Sequence, residues 1–141
     1  MRADVVAAAR GWLGTPYVHQ ASSLGAGSNC LGLIRGVWRA LYGAEPLVVP
    51  AYTPDWGEVG GEELLLAGAQ RFLEQSVHEQ AGDVLVFAMR SGAVAKHLAI
   101  QAETGPEASF VHAYERHGVV ESPLTGPWRA KIAGRFAFPR L

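Results

Sequence analysis

Residues Gly25–Trp38 read GAGSNCLGLIRGVW and hold Cys30, the single cysteine of a 141-residue chain. From Leu31 onward the segment turns periodic. Leu31, Ile34, Trp38 and Leu41 recur at i, i+3, i+7 and i+10, the spacing of one helix face. Asn29 has the side chain of an N-cap, and Gly43 supplies the stop. The cysteine therefore falls in the first turn of a predicted helix. Gly32 and Gly36 each weaken that helix by about 1 kcal/mol relative to alanine, which implies that another stretch of backbone packs close to it. The stretch before it, Tyr17 to Asn29, is rich in turn formers and has no period.

Outward from this helix, the N-terminal residues 3–13 set Val5, Val6, Ala9, Trp12 and Leu13 on one side of a first helix, ended by Gly14-Thr15-Pro16. Residues 46–60 form a proline-broken connection, and 61–76 read as a further helix. After Gly82 the period changes. DVLVFAM, HLAIQAE, SFVHAY, VVESPL and IAGRFAFP are short strand-like runs separated by Gly, Pro or charged turns. The expectation is a single α+β domain over residues 1–141, with N-terminal helices packed on a C-terminal antiparallel sheet of about five strands.

Composition narrows the class. Hydrophobic residues make up 49% and charged residues 18%, as in a globular domain. A net charge of −1 argues against a nucleic-acid partner or an anionic membrane surface. The locally basic PWRAKIAGRFAFPR segment reads as a solvated face. No apolar run approaches the ~20 residues of a bilayer span, so no membrane insertion is expected. The first residues, broken by Asp4 and Arg10, lack the pattern of a secretory signal, so synthesis in the cytoplasm is expected. One cysteine allows no internal disulfide.

A lone cysteine is most often a small buried hydrophobe. Placed at a helix start it gains a second reading, because unpaired N–H groups and the helix dipole favour a thiolate and lower the thiol pKa. Those N–H groups can also hold an oxyanion. A thiolate nucleophile needs a base. Of five histidines, His78 sits in a charged connection, His117 in a hairpin turn, and His19 in the loop before the cysteine, where it could line a cleft. His97 and His112 lie on two successive predicted strands. A hairpin closed by the four residues Glu103–Pro106 sets Ala102 against Glu107 and His97 directly against His112, near enough for their rings to hydrogen-bond. A slip of one residue separates them to opposite faces. Two ordinary half-buried histidines remain the alternative.

The motifs GTPY (Gly14–Tyr17), NCLGL (Asn29–Leu33), GDVLVF (Gly82–Phe87), KHLAI (Lys96–Ile100) and FVHAY (Phe110–Tyr114) together resemble the NlpC-type cysteine peptidases, papain-like bacterial cell-wall endopeptidases. CLGLIRGVWRALYG, YTPDW, AKHLAI and VVESPL look like the compact version encoded with phage and gene-transfer-agent tails. The resemblance implies a papain-like fold and no metal or other cofactor. It implies Cys30 as nucleophile, His97 as general base, and His112 as the residue that orients it. Tyr17 matches a cleft tyrosine, with Asn29 and His19 beside it as substrate-binding positions. The implied substrate is the peptidoglycan stem peptide, cut between D-glutamate and a diamino acid. Asn29 and Leu31 stand where the commoner pattern has Asp and Ser, and HQASS replaces its WGG. The aspartate is associated with recognising a cationic amine, so substrate choice is expected to differ.

Two rivals come from other classes. One is a tail-tip or baseplate component that keeps the fold without turnover. The other is a zinc hydrolase using His97, His112 and either Cys30 or Asp83, although the H-x-x-x-H and C-x-x-C spacings are missing. For a tail-borne enzyme the expected partner is a tail hub or baseplate protein and the expected site of action is the periplasm. Tyr52 and Trp56 are candidates for docking, with packing over the cleft or core as the plainer alternative.

Overall fold

In a computed structural model, residues 2–46, 64–89 and 96–140 are described. The connection carrying Tyr52 and Trp56 lies outside them, as do the first residues of the helix expected at 61–76.

The first helix, α1 (Arg2–Arg10), buries Val5, Val6 and Ala9. It ends earlier than the periodicity predicts. Trp12 N–H and Leu13 N–H donate to the carbonyls three residues back, at Ala9 and Arg10. This tighter winding keeps Trp12 in the core but turns Leu13 out to solvent, contrary to expectation. Gly14, at φ 88°, then donates its N–H to Val119.

The hairpin β1 (Ser22–Ser23) and β2 (Gly27–Ser28) occupies part of the aperiodic stretch. It leads into α2 (Cys30–Tyr42), whose caps are those expected: Gly32 N–H donates to Asn29 Oδ1 over 2.8 Å, and Gly43 leaves the helix at φ 88°. The buried arc of α2 is wider than one stripe. Leu33, Ile34 and Val37 lie deepest, while Leu31, Trp38 and Leu41 flank them, because α2 packs against both α1 and the sheet. The third helix, α3 (Leu64–Phe72), stops short of residue 76. Its expected tail supplies an edge strand instead, β3 (Glu74–Gln75), paired with Phe136 and Ala137.

The five expected strand runs form β4 (Val84–Phe87), β5 (His97–Glu103), β6 (Ser109–Tyr114), β7 (Gly118–Pro123) and β8 (Ile132–Ala137). With β3 the antiparallel sheet has six strands rather than five, in the order β3-β8-β4-β5-β6-β7. The sheet is covered on both sides, which is why the VLVF of β4 is apolar at every position. Val84, Val86, Leu98, Ile100, Val111 and Phe136 face the helices. On the other side Leu85, Phe87, Ala99 and Phe110 pack beneath Trp128, carried by the short α4 (Gly126–Arg129).

The basic C-terminal segment is not simply a solvated face. Arg135 points inward from β8 and donates to the buried Asp83 carboxylate over 2.9 Å, and Arg2 donates to the same group over 2.7 Å. A fully buried carboxylate requires such partners. Arg129 pairs with Glu79, and Lys131 lies over the Trp128 ring at 5.2 Å.

Candidate active site

The chain entering Cys30 is held on several backbone bonds. Ser28 N–H donates to Pro16, Val18 N–H to Ser28, and Asn29 N–H to Ala21. The Ala21 carbonyl rests directly on Gly32, where an added Cβ would stand 1.9 Å from its oxygen. Gly32 therefore has the close backbone neighbour that its presence predicts. Gly36 meets a side chain instead, the Trp12 indole at 2.0 Å from an added Cβ. Together these contacts fix the start of α2 against α1 and the hairpin.

Cys30 is half-buried at this helix start, among the residues packed on the helix-side core, as is Tyr17. Its sulfur meets the beginning of β5. The thiol donates weakly to the Lys96 carbonyl at 3.9 Å, and Leu98 N–H donates to the sulfur. These two backbone groups flank His97. Burial is the largest influence on the thiol and pushes its pKa up, outweighing the N–H groups of Leu98, Leu31 and Cys30 that pull it down. The lowering expected from the helix start is present but loses to desolvation.

His97 and His112 lie on the opposite face of the sheet from most of the helix contacts, and both are buried. His97 Nε2 and His112 Nδ1 are 2.8 Å apart. The strand register that produces this differs from the expected one. Ile100 pairs with Val111 and Gln101 with Phe110, and the turn contains a 3-10 segment, Gly105–Glu107, with an irregularity after Gln101. Carried along both strands, this register sets Ala99 rather than His97 across from His112. The shift is two residues, so the pleat keeps both rings on one face and they meet diagonally.

Burial lowers His97 to a pKa of about 3, with the charge of His112 adding to the effect. It lowers His112 to about 4, with His117 contributing. A carbon surface encloses both rings. Trp128 stands 6.1 Å from His97 and 5.5 Å from His112 between ring centroids, and Tyr114 stacks on His112 at 5.0 Å. The consequence for stability has a definite sign. An unfolded imidazole binds its proton near pH 6.5, whereas these two resist it until about pH 3 and 4. As pH falls below 6.5 unfolding takes up protons, and stability declines by up to about 1.4 kcal/mol per pH unit for each imidazole. Glu79, Glu121 and Glu45, whose pKa values are lowered, add to this loss only below the ordinary carboxylate range. Denaturant unfolding at pH 7, 6 and 5 measures the effect. A flat profile contradicts it.

His19 is half-buried in the connection before β1. Asn29 is only 4% exposed, and its side-chain oxygen accepts from Gly32 N–H. His78 and His117 are exposed, His117 in the turn between β6 and β7. Asp83 does not join the histidines. Its carboxylate takes Arg2, Arg135, Ser76 Oγ and Gln80 N–H. Among the described residues no group of three His, Cys, Asp or Glu side chains is placed to hold a metal ion. No helix among them is long and apolar enough to cross a membrane.

Several solved structures share this architecture. The NlpC/p60 domain of the peptidoglycan hydrolase SagA matches with a TM-score of 0.61 at 23% identity, covering 99% of both chains. The fold is that of an NlpC/p60 domain. NlpC1 from Trichomonas vaginalis matches at 0.58 and 16% identity, over 95% of this chain and 42% of its own. Ly7917 matches at 0.61 and 13% identity, over 99% of this chain and 62% of its own. No protein-family model matches the chain, and no curated protein matches it.

Two residues of this NlpC/p60 fold stand at the imidazoles without having been singled out from the sequence. Trp128 sits in a segment read only for its cations. Ser122 Oγ lies 2.9 Å from His112 Nε2. Because Tyr114 pairs with Gly118, counting along the tight turn puts Ser122 across from Phe110, on the same face as His112. That count was available in the sequence, but an edge-strand serine carries no chemical signal of its own.

Proposed function

We propose that the chain is a cysteine peptidase that hydrolyses peptidoglycan stem peptides, cutting between D-glutamate and a diamino acid. The observation that carries this reading is the sulfur at the helix start, hydrogen-bonded to backbone on both sides of a histidine whose ring is held by a second histidine. His112 takes Nε2 of His97, so Nδ1 is the ring nitrogen left for the role of base.

With the thiol raised and the imidazole lowered, the resting pair is neutral. Proton transfer then accompanies attack rather than preceding it. His97 Nδ1 takes the proton from Sγ as sulfur bonds to the carbonyl carbon, and the C=O pair moves onto oxygen. The oxyanion accepts from the Cys30 N–H at the helix start and from the Tyr17 hydroxyl. Collapse expels the amine, which receives the proton from His97. Water, deprotonated by the same nitrogen, hydrolyses the thioester and restores the thiol. Asn29 is occupied as a cap, so substrate meets no anionic group there, and the preference for a cationic amine is expected to be weak.

Mass spectrometry of muropeptides from purified sacculi, before and after treatment, tests both the activity and the bond. New fragments ending at D-glutamate are expected, and an unchanged profile overturns the reading. The proposed setting is a particle tail, docked on a tail hub or baseplate protein and reaching the wall in the periplasm, supported by the subgroup resemblance. Labelling tail tips with an antibody to the chain checks it.

The neutral resting pair also favours a second reading, a tail component without turnover. Iodoacetamide labelling across pH separates the states of the thiol. The buried geometry predicts a rate that still rises above pH 9, whereas a plateau below pH 7 would reveal a preformed thiolate. Slow labelling together with no muropeptide release selects the structural reading.

A further inference from the structure

The bond from His112 onward to Ser122 has no part in the steps above, yet imidazole chemistry ties it to them. His112 is fully buried, with Nδ1 2.8 Å from His97 Nε2 and Nε2 2.9 Å from Ser122 Oγ. A neutral imidazole carries one N–H, so one nitrogen donates and the other accepts. The row of three residues therefore has two polarities. In one, His97 Nε2–H donates to His112 Nδ1, His112 Nε2–H donates to Ser122 Oγ, and His97 Nδ1 is bare. In the other, Ser122 donates to His112 Nε2, His112 Nδ1–H donates to His97 Nε2, and the His97 proton sits on Nδ1. A ring nitrogen that already holds a proton has no free lone pair, so it cannot take the proton of a thiol.

We propose that Ser122 is a positioning residue that accepts from His112 Nε2 and so sets the tautomers of both imidazoles, leaving Nδ1 of His97 bare. Its place in the sheet suits this. Ser122 lies on β7, an edge of the six-stranded sheet, and is half-buried, so its own hydroxyl proton can turn toward solvent while His112 cannot. Among the described residues Ser122 is the hydrogen-bond partner of His112 Nε2, and Phe110, Tyr114 and Trp128 meet that ring with aromatic surfaces. The catalytic purpose of the device rests on the peptidase reading, but the tautomers themselves do not.

Long-range proton–nitrogen NMR of the ¹⁵N-histidine-labelled protein at neutral pH reads each ring nitrogen directly. In the native chain both His97 and His112 are expected to be protonated at Nε2. In Ser122→Ala the His112 proton is expected to move to Nδ1, with His97 following to its Nδ1 form. The release of muropeptides should fall roughly 10- to 100-fold in kcat with KM unchanged, and Ser122→Thr should restore both tautomers and rate. A native His112 protonated at Nδ1, or tautomers unchanged in Ser122→Ala, overturns the assignment. The expected tautomers in a protein that releases no muropeptide support the Ser122 assignment and remove the peptidase reading alone.

Discussion

Cys30→Ala is expected to abolish fragment release from sacculi, with kcat falling on the order of 10⁴-fold or more. The same fall is expected from His97→Ala, and the double variant should be little worse than either, because nucleophile and base act as one unit. The two substitutions differ in their effect on the fold. Cys30 is half-buried and its sulfur makes only weak hydrogen bonds to backbone groups of Lys96 and Leu98, so its removal should change stability by less than about 1 kcal/mol. Removing the His97 ring leaves His112 Nδ1 buried without its partner, at a cost of about 1–3 kcal/mol. Kinetics on a synthetic stem peptide beside thermal unfolding separates the two effects. Retained turnover in a folded Cys30→Ala protein would remove the mechanism.

Gly32→Ala and Gly36→Ala are expected to destabilise the protein by about 2 kcal/mol or more each, although alanine is the better helix former by about 1 kcal/mol. The added Cβ at Gly32 would stand 1.9 Å from the Ala21 carbonyl oxygen, and that carbonyl also accepts Asn29 N–H. Relieving the clash therefore moves the residues that lead into Cys30, and activity should fall together with stability. At Gly36 the obstacle is the Trp12 indole, which is 6% exposed and wedged between α1 and α2. Gly68 in α3 is the internal control. Among the described residues an added Cβ there meets nothing within 4 Å, so Gly68→Ala should stabilise by up to about 1 kcal/mol. Chemical denaturation of the three variants reads the signs, and a uniform gain would show that these contacts relax freely.

The elements were legible wherever one short segment decides its own state. Asn29 and Gly43 bound α2 as their side-chain chemistry predicts, and five strand runs appear in their expected places because period-two and apolar runs are local signals. The boundaries failed where a distant partner intervenes. Residues Glu74 and Gln75 leave the expected helix because β8 offers them a strand partner, and Arg135 turns inward because Asp83 is buried beside it.

For the candidate site, the sequence by itself determined which side chains are present and that His97 and His112 fall on successive strands. It determined equally that a cysteine begins a capped helix. The two histidines share a face because the register differs from the expected one by an even number of residues, which the tertiary structure supplied. The tertiary structure alone decided how far the strands slide past each other, which serine ends the row of imidazoles, and in which direction the thiol moves. Those outcomes depend on solvent exclusion and on contacts between residues tens of positions apart. At Cys30 the local helix-end field and the non-local burial oppose each other, and burial wins.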